Sequence, residues 1–259
     1  MRLRLATVLL PVLFLAAPAV PGHDQALRVL GRLLDLNAAG ELQSSEARAL
    51  LTGEALSHWS TETIGPVTGS PDTLTAISAA SLVARVPVAA PNGEVKDFYF
   101  YLQRDSGWKI SAMRTLSSVG PLYMIRDMDP AKIASIPGGA YMAENARLTL
   151  LSDSQLRSWF IDHSEELKHL ATLVSESSTE VHRVETAEPA ETPIVRALRA
   201  LALSSARRLP SGAEIVIGGI IDNSVGFLYL RSGTPPPISP SHHIWIEDLG
   251  SGWYLFRTT

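Results

Sequence analysis

Residues Gly93 to Thr115, GEVKDFYFYLQRDSGWKISAMRT, restrict the fold more than any other stretch of the chain. Phe98, Tyr99, Phe100, Tyr101 and Leu102 are side chains that suit a pleated, half-buried surface. Asp105-Ser106-Gly107 interrupts the run and fits a three-residue hairpin loop with Gly107 in the left-handed region. That register pairs Leu102 with Ile110, Phe100 with Ala112 and Phe98 with Arg114. It predicts one face made of Phe98, Phe100, Leu102, Trp108, Ile110 and Ala112, and an opposite face of Tyr99, Tyr101, Gln103, Lys109, Ser111 and Met113. A two-residue loop would turn one strand's faces over, so the longer loop is preferred. The tyrosine face suits either solvent or contact with another domain. SGWYLFRTT at the end of the chain echoes the second strand.

Before the hairpin, Met1 to about Gly22 reads as a secretory leader, with Arg2 and Arg4 ahead of an apolar run from Leu5 to Ala17. That run is shorter than the roughly 20 residues a membrane span needs, and no later run reaches that length. Asp24 to Ala39 has helical spacing in Ala26, Val29, Leu30, Leu33 and Leu36 or Asn37, with Asp24 as cap and Gly40 as stop. Short helices are expected over Ser44 to Leu51, capped by Ser44, and over Gly53 to Trp59. Thr73 to Ile77 and Ser81 to Val88 read as strands, the second with Leu82, Ala84, Val86 and Val88 on one face and Pro87 suggesting an edge or bulge.

The order of one helix, short helices and long strands ending in Gly-Trp-Lys-Ile resembles the nuclear transport factor 2-like superfamily. DQALRVLGRLLDLNAAG, SLVARVPV and FYFYLQRDSGWKISAMRTL carry the resemblance, over about residues 24–117. It implies a cone-like, curved antiparallel sheet wrapped on a helix, often with an apolar pocket at the open end. The superfamily holds isomerases, hydrolases and dehydratases, and also non-catalytic binding and scaffold domains, so the fold alone does not choose among them.

The remainder reads as a second unit. Val119 to Glu144 has Pro and Gly but no sustained period, and is expected to be an ordered strap. Ser152 to Ser175 predicts one helix, with a Ser152/Gln155 capping box and an apolar stripe from Leu156 to Val174. A strand over Val181 to Thr186 and a helix from Pro193 to about Arg208 follow. Two hairpins close the chain, Glu214–Ile221 with Val225–Leu230 and His243–Glu247 with Trp253–Thr258. The expected layout is a leader (1–22), a cone-like α+β domain (23–118), a strap (119–145) and a smaller α+β domain (146–259) of two helices and a four-strand antiparallel meander.

Composition bounds the chemistry. Hydrophobic residues are 46% and charged residues 19% of the 259, as in folded globular proteins. The net charge of −4 gives no basic field for nucleic acid, and removing the leader leaves 20 basic against 26 acidic residues. The absence of Cys excludes disulfides, thiolate metal sites, thiol catalysis and a lipidated cysteine anchor. A cysteine-free exported chain fits a periplasm or the exterior.

Each candidate site has a plainer alternative. His58 is placed to act as a general base at a pocket mouth, oriented by Glu54 or Glu62; the plainer reading is a helix-end His with Trp59 in the core. Arg114 is placed to clamp an anion, or else to reach solvent or pair with Asp72 or Asp97. Tyr99 and Tyr101 with Lys109 form either a ligand face with a cation–π contact or a domain interface. Trp59, Tyr99, Tyr101, Lys109 and Arg114 are thus the candidate ligand-binding set. Glu165 and His169 stand four apart on a helix, but zinc needs three or four ligands. His242 and His243 point to opposite faces of a strand, and His243 and Glu247 lie about 13 Å apart at strand rise. No metal and no cofactor is implied, and no phosphate loop or nucleophile elbow is present.

These features lead to three functional expectations. The first is a non-catalytic binding module for a partner protein or small apolar ligand in the cell envelope. The second is a cone-pocket hydrolase or isomerase using His58. The third is a structural envelope subunit with a large flat apolar surface.

Overall fold

The computed structural model describes residues 22–58, 69–89, 93–116, 119–185, 192–220 and 223–259. The leader, Trp59, Glu62 and the side chain of His58 lie outside the described residues. The architecture is α+β with two antiparallel sheets. The first sheet has four strands in chain order: β1 (Thr73–Ser78), β2 (Ser81–Ala89), β3 (Val95–Arg104) and β4 (Trp108–Arg114). One face is covered by α1 (His23–Ala38), α2 (Ser45–Ala49) and α3 (Gly53–His58). Ala26, Leu30 and Leu33 of α1 pack there on Leu82, Ala84, Val86, Phe100, Leu102, Trp108 and Ile110. α1 starts one residue before Asp24 and has no side-chain cap, whereas Gly40 ends it at φ 75°, with its N–H donating to Asn37 O. Ser44 caps α2 by accepting from the Ala47 N–H. Pro87 faces only β3, because β1 pairs with β2 no further along than Arg85; the strand is locally an edge there, which is where a missing donor is tolerated.

The β3–β4 hairpin has the expected three-residue loop and pairs Leu102 with Ile110. Its far half differs. Tyr101 pairs with Ala112, so Ser111 is an extra residue in β4 and the register slips by one. A bulge of this kind reverses the faces beyond it. Met113, not Ala112, therefore joins the helix-side core, while Ala112 joins Tyr99 and Tyr101. Arg114 moves with them, opposite Tyr99 rather than Phe98. Gly107 is not among the left-handed glycines, so the loop is not the turn expected for it.

The second sheet is the larger. Its order is β5 (Val181–Arg183), β6 (Ser205–Leu209), β7 (Gly212–Ile220), β8 (Asn223–Leu230), β10 (Trp253–Thr258) and β9 (His243–Gly250). It is not a meander at its end, because β10 inserts between β8 and β9. The apolar side chains explain the slot. Trp253, Leu255 and Phe256 are buried on the two faces of β10, which suits a central strand. β9 carries Glu247 and Asp248 and takes the margin, where charge is better tolerated.

The segment expected as an ordered strap without a sustained period is helical: α4 (Gly120–Arg126), α5 (Pro130–Ala134) and α6 (Gly139–Thr149). Two of its three prolines start helices instead of breaking them, and Pro137 lies in the turn before α6. Pro121 sits in the first turn of α4, and Pro130 follows Asp129, whose Oδ1 accepts from the Ala131 N–H at 2.8 Å. The long helix expected from Ser152 is two, α7 (Asp153–Asp162) and α8 (Ser164–Glu176), separated at His163. The ring of His163 stacks on Trp159, with centroids 4.3 Å apart, and its Nδ1 lies 2.8 Å from Trp159 O. The capping box at Ser152 is present, and the apolar stripe runs unbroken across the bend from Leu156 to Val174. α9 (Pro193–Ala200) ends eight residues before Arg208. Ala202 takes φ 54°, and Asn145 Nδ2 of α6 donates to Ala202 O at 2.7 Å, fixing the turn into β6. Arg207 and Arg208 are consequently strand residues. α6 to α9 bury one face of the second sheet.

Candidate functional site

Of the candidate ligand residues, the four that are described, Tyr99, Tyr101, Lys109 and Arg114, do not form one open site. Tyr99 and Tyr101 are fully or almost fully buried, packed with Val83 and Ala112 against Ile244 and Trp245 of β9. The Tyr99 ring stacks on Trp245 at 5.2 Å, and Tyr101 Oη donates to Ile244 O at 2.7 Å. The tyrosine face is thus the surface on which the two sheets meet. Lys109 sits at the hairpin end beside Gln103. Arg114 donates from Nη1 and Nη2 to the two carboxylate oxygens of Glu54, each at 2.7 Å, and from Nε to Pro240 O. Its partner is neither Asp72 nor Asp97. Glu247 turns away from His243 into the sheet junction, and Glu165 pairs with Lys168.

What the junction holds was not singled out in the sequence: a buried network of ions. Arg85 on β2 and Arg257 on β10 are lone charges in apolar strands, and that was the available signal. Asp153, at the first position of α7, is completely buried. Its Oδ1 accepts from Arg257 Nε at 2.7 Å and its Oδ2 from Tyr99 Oη at 2.7 Å. Arg85 Nη1 lies 3.4 Å from Asp153 Oδ2 and 3.3 Å from Glu247 Oε2. Arg85 also grips Asp72 through Nε and Nη2 at 2.9 and 2.8 Å. Arg157 on α7 joins Glu247 from the outside. Asp97 Oδ2 accepts from the Asp153 N–H at 2.6 Å.

The charges in this network count as three guanidiniums, Arg85, Arg157 and Arg257, against four carboxylates, Asp72, Asp97, Asp153 and Glu247. The carboxylates thus outnumber the guanidiniums by one. Burial, and then the Asp153 carboxylate, push Asp97 up to about 6, against the opposing pull of Arg257. Burial alone would lower Arg257, but Tyr99, Asp153 and Asp97 more than reverse this, so it stays charged. The same holds for Arg85, held up by its Asp72 hydrogen bond and by Asp153.

Two recesses flank these elements. A small cleft of about 310 Å³, mouth included, opens between α4 and the junction, with Asp97 and Arg257 at its floor and Tyr123 on its rim. Both floor residues are already bonded within the network, as described above. The larger recess is a groove of about 1080 Å³, open solvent included, over β5, β6 and β7. Arg183, Ser205, Arg207, Glu214 and Val216 line it, with Gly218 and Gly219 at one end. Arg207 pairs with Glu214 at 2.8 Å. Arg183 is exposed and makes no side-chain hydrogen bond or ion pair among the described residues. The same sheet face is covered further along, where Leu228, Ile246 and Phe256 pack under Ile238 of the β8–β9 connection.

Among the described residues no group of three His, Asp or Glu is close enough to hold a metal ion, and no helix is long and apolar enough to cross a membrane. No family model, no curated protein and no solved structure matches the chain.

Proposed function

We propose that the chain is an exported, non-catalytic binding module of the cell envelope, built on a cone of the nuclear transport factor 2-like type, and that it takes up an acidic segment of a partner protein in the groove over β5 to β7. The uncovered half of the second sheet carries this reading. The other sheet faces are packed under helices or against each other, whereas this half presents a polar groove with an exposed guanidinium at Arg183 that has no partner among the described residues. Two arginines against one glutamate favour a negatively charged occupant. A polar, open groove suits a protein segment better than a small apolar ligand, for which an enclosed apolar cavity is the usual site.

A fluorescein-labelled deca-glutamate peptide tests the reading by anisotropy at low and moderate salt. Saturable binding that weakens with salt, and falls about tenfold in Arg183→Glu, is expected. Absence of saturable binding, or binding unchanged by Arg183→Glu and Arg207→Glu, rejects the groove as the site.

A further inference from the structure

The two sheets have four outer edges, and three of them are protected. The edge of β4 is capped by the chain at Leu50–Thr52, where the Thr52 N–H donates to Ile110 O and the Ile110 N–H to Leu50 O, both at 2.9 Å. β9 is held by the first sheet through Tyr101 Oη, and it carries Glu247 and Asp248. β5 is only three residues long and ends in Arg183. Short strands, cover and charge are the usual means by which an edge avoids pairing with another chain.

Among the described residues β1 has neither cover nor charge, and its one irregularity is a register shift between Ala76 and Ser78, at the turn end of the strand. It spans six residues, Thr-Leu-Thr-Ala-Ile-Ser, with no charge and no proline. Among the described residues no backbone hydrogen bond reaches Thr73 to Ser78 except from β2. Ile77 is 37% exposed. A row of unpaired N–H and C=O groups on such a strand is a template for one more strand.

We infer that β1 pairs antiparallel with β1 of a second copy, joining the two four-stranded sheets into one continuous sheet across a twofold axis. The inference is independent of the groove. An isologous contact must complement itself, and an uncharged strand meets its own copy without like-charge repulsion. A twofold axis perpendicular to the sheet keeps the helix-facing side of both copies on the same side. Centred on Thr75, it sets Leu74 opposite Ala76 of the second copy on that side and Thr75 opposite Thr75 on the other. Leu74 already packs on the helix-side core, and Thr–Thr is a favourable cross-strand pair. Among the described residues the helices α1 and α3 pack over β4, at the far edge of the sheet from β1.

The chain has no cysteine, so Thr75→Cys introduces its only thiol. Antiparallel partners at the axis stand about 4.5–5.5 Å apart at Cα, within disulfide reach. Mild oxidation of Thr75→Cys is expected to give a covalent dimer, and Lys109→Cys, on the protected edge strand, to give no covalent cross-link. By sedimentation equilibrium the unmodified protein is expected at twice the chain mass. Thr75→Lys should halve it with an unchanged circular dichroism spectrum, and an equimolar mixture with Thr75→Glu should restore it. A monomeric unmodified protein at the highest soluble concentration overturns the inference. So does a dimer that survives Thr75→Lys, or a Thr75→Cys protein that does not cross-link. If Thr75→Lys fails to fold, the cross-linking result decides.

Discussion

The junction of the two sheets and the groove on the far side of the second sheet use the same residue types to opposite ends. At the junction, Arg85, Arg257, Asp97, Asp153 and Glu247 are buried, and both arginines meet partners from distant parts of the chain: Arg85 with Glu247, Arg257 with Asp153. In the groove, Arg207 and Glu214 lie on neighbouring strands at a wet surface, and Arg183 is exposed, with no partner among the described residues. Burial is what separates them. A charge in the junction cannot lose its partner without a large cost, while a charge in the groove is solvated either way. The first arrangement holds the sheets in one relative orientation. The second leaves charge free to meet something else.

Asp153→Ala is the most severe test of this contrast. It leaves Arg257 and Arg85 buried with too few partners and removes the acceptor of Tyr99 Oη. A loss of about 3–5 kcal/mol is expected, read from the urea midpoint, as for a broken buried ion pair. A loss below about 1 kcal/mol would mean the junction behaves like surface.

Titration sharpens the same comparison. Asp97 is raised in the folded state to about 6 from its ordinary value of 3.8. The unfolded chain therefore loses the proton first as pH rises. Stability from protonated Asp97 is full below about pH 4 and is lost progressively up to about pH 6, at no more than about 1.4 kcal/mol per pH unit for one proton. Urea unfolding at intervals from pH 4 to 7 should show this downward contribution in the unmodified protein and not in Asp97→Asn. An upward difference over that window would show that the network prefers Asp97 ionised.

A purely local interaction gives a smaller expected effect. Ser152→Ala removes one half of the capping box of α7 and should cost about 1 kcal/mol. The smallest belongs to the groove. Arg183→Ala should change stability by less than about 0.5 kcal/mol, with its effect confined to anionic peptide binding. A larger destabilisation would place Arg183 in the fold rather than on a binding surface.

The echo between the two closing hairpins is informative about what sequence patterns carry. Both contain Ser-Gly-Trp at the turn, and in both the Trp is buried. Yet β4 lies at a sheet margin and β10 inside its sheet, between β8 and β9. The turns differ too: three residues precede Trp108, with Gly107 outside the left-handed region, whereas Ser251 and Gly252, both at positive φ, make a two-residue turn before Trp253. The junction network escaped notice for a related reason. Arg85 in SLVARVPV and Arg257 in SGWYLFRTT were visible as isolated charges within apolar strands, but their partners lie 162 and 104 residues away. Nothing in a single sequence says which carboxylate meets which guanidinium at such separations.

By itself, the sequence determined what rests on near neighbours. The three-residue turn before Trp108, the pairing of Leu102 with Ile110, the caps at Ser44 and Ser152 and the apolar stripe of α7 and α8 all follow from spacing and from groups a few residues apart. Tertiary structure alone decided the extra residue at Ser111, the helical state of the proline-bearing connection, the place of β10 between β8 and β9, and the burial of the tyrosine face. Each of these depends on which distant surface is available to cover an apolar side chain or pair a charge. Side-chain alternation sets two faces on a strand but is silent about what each face meets.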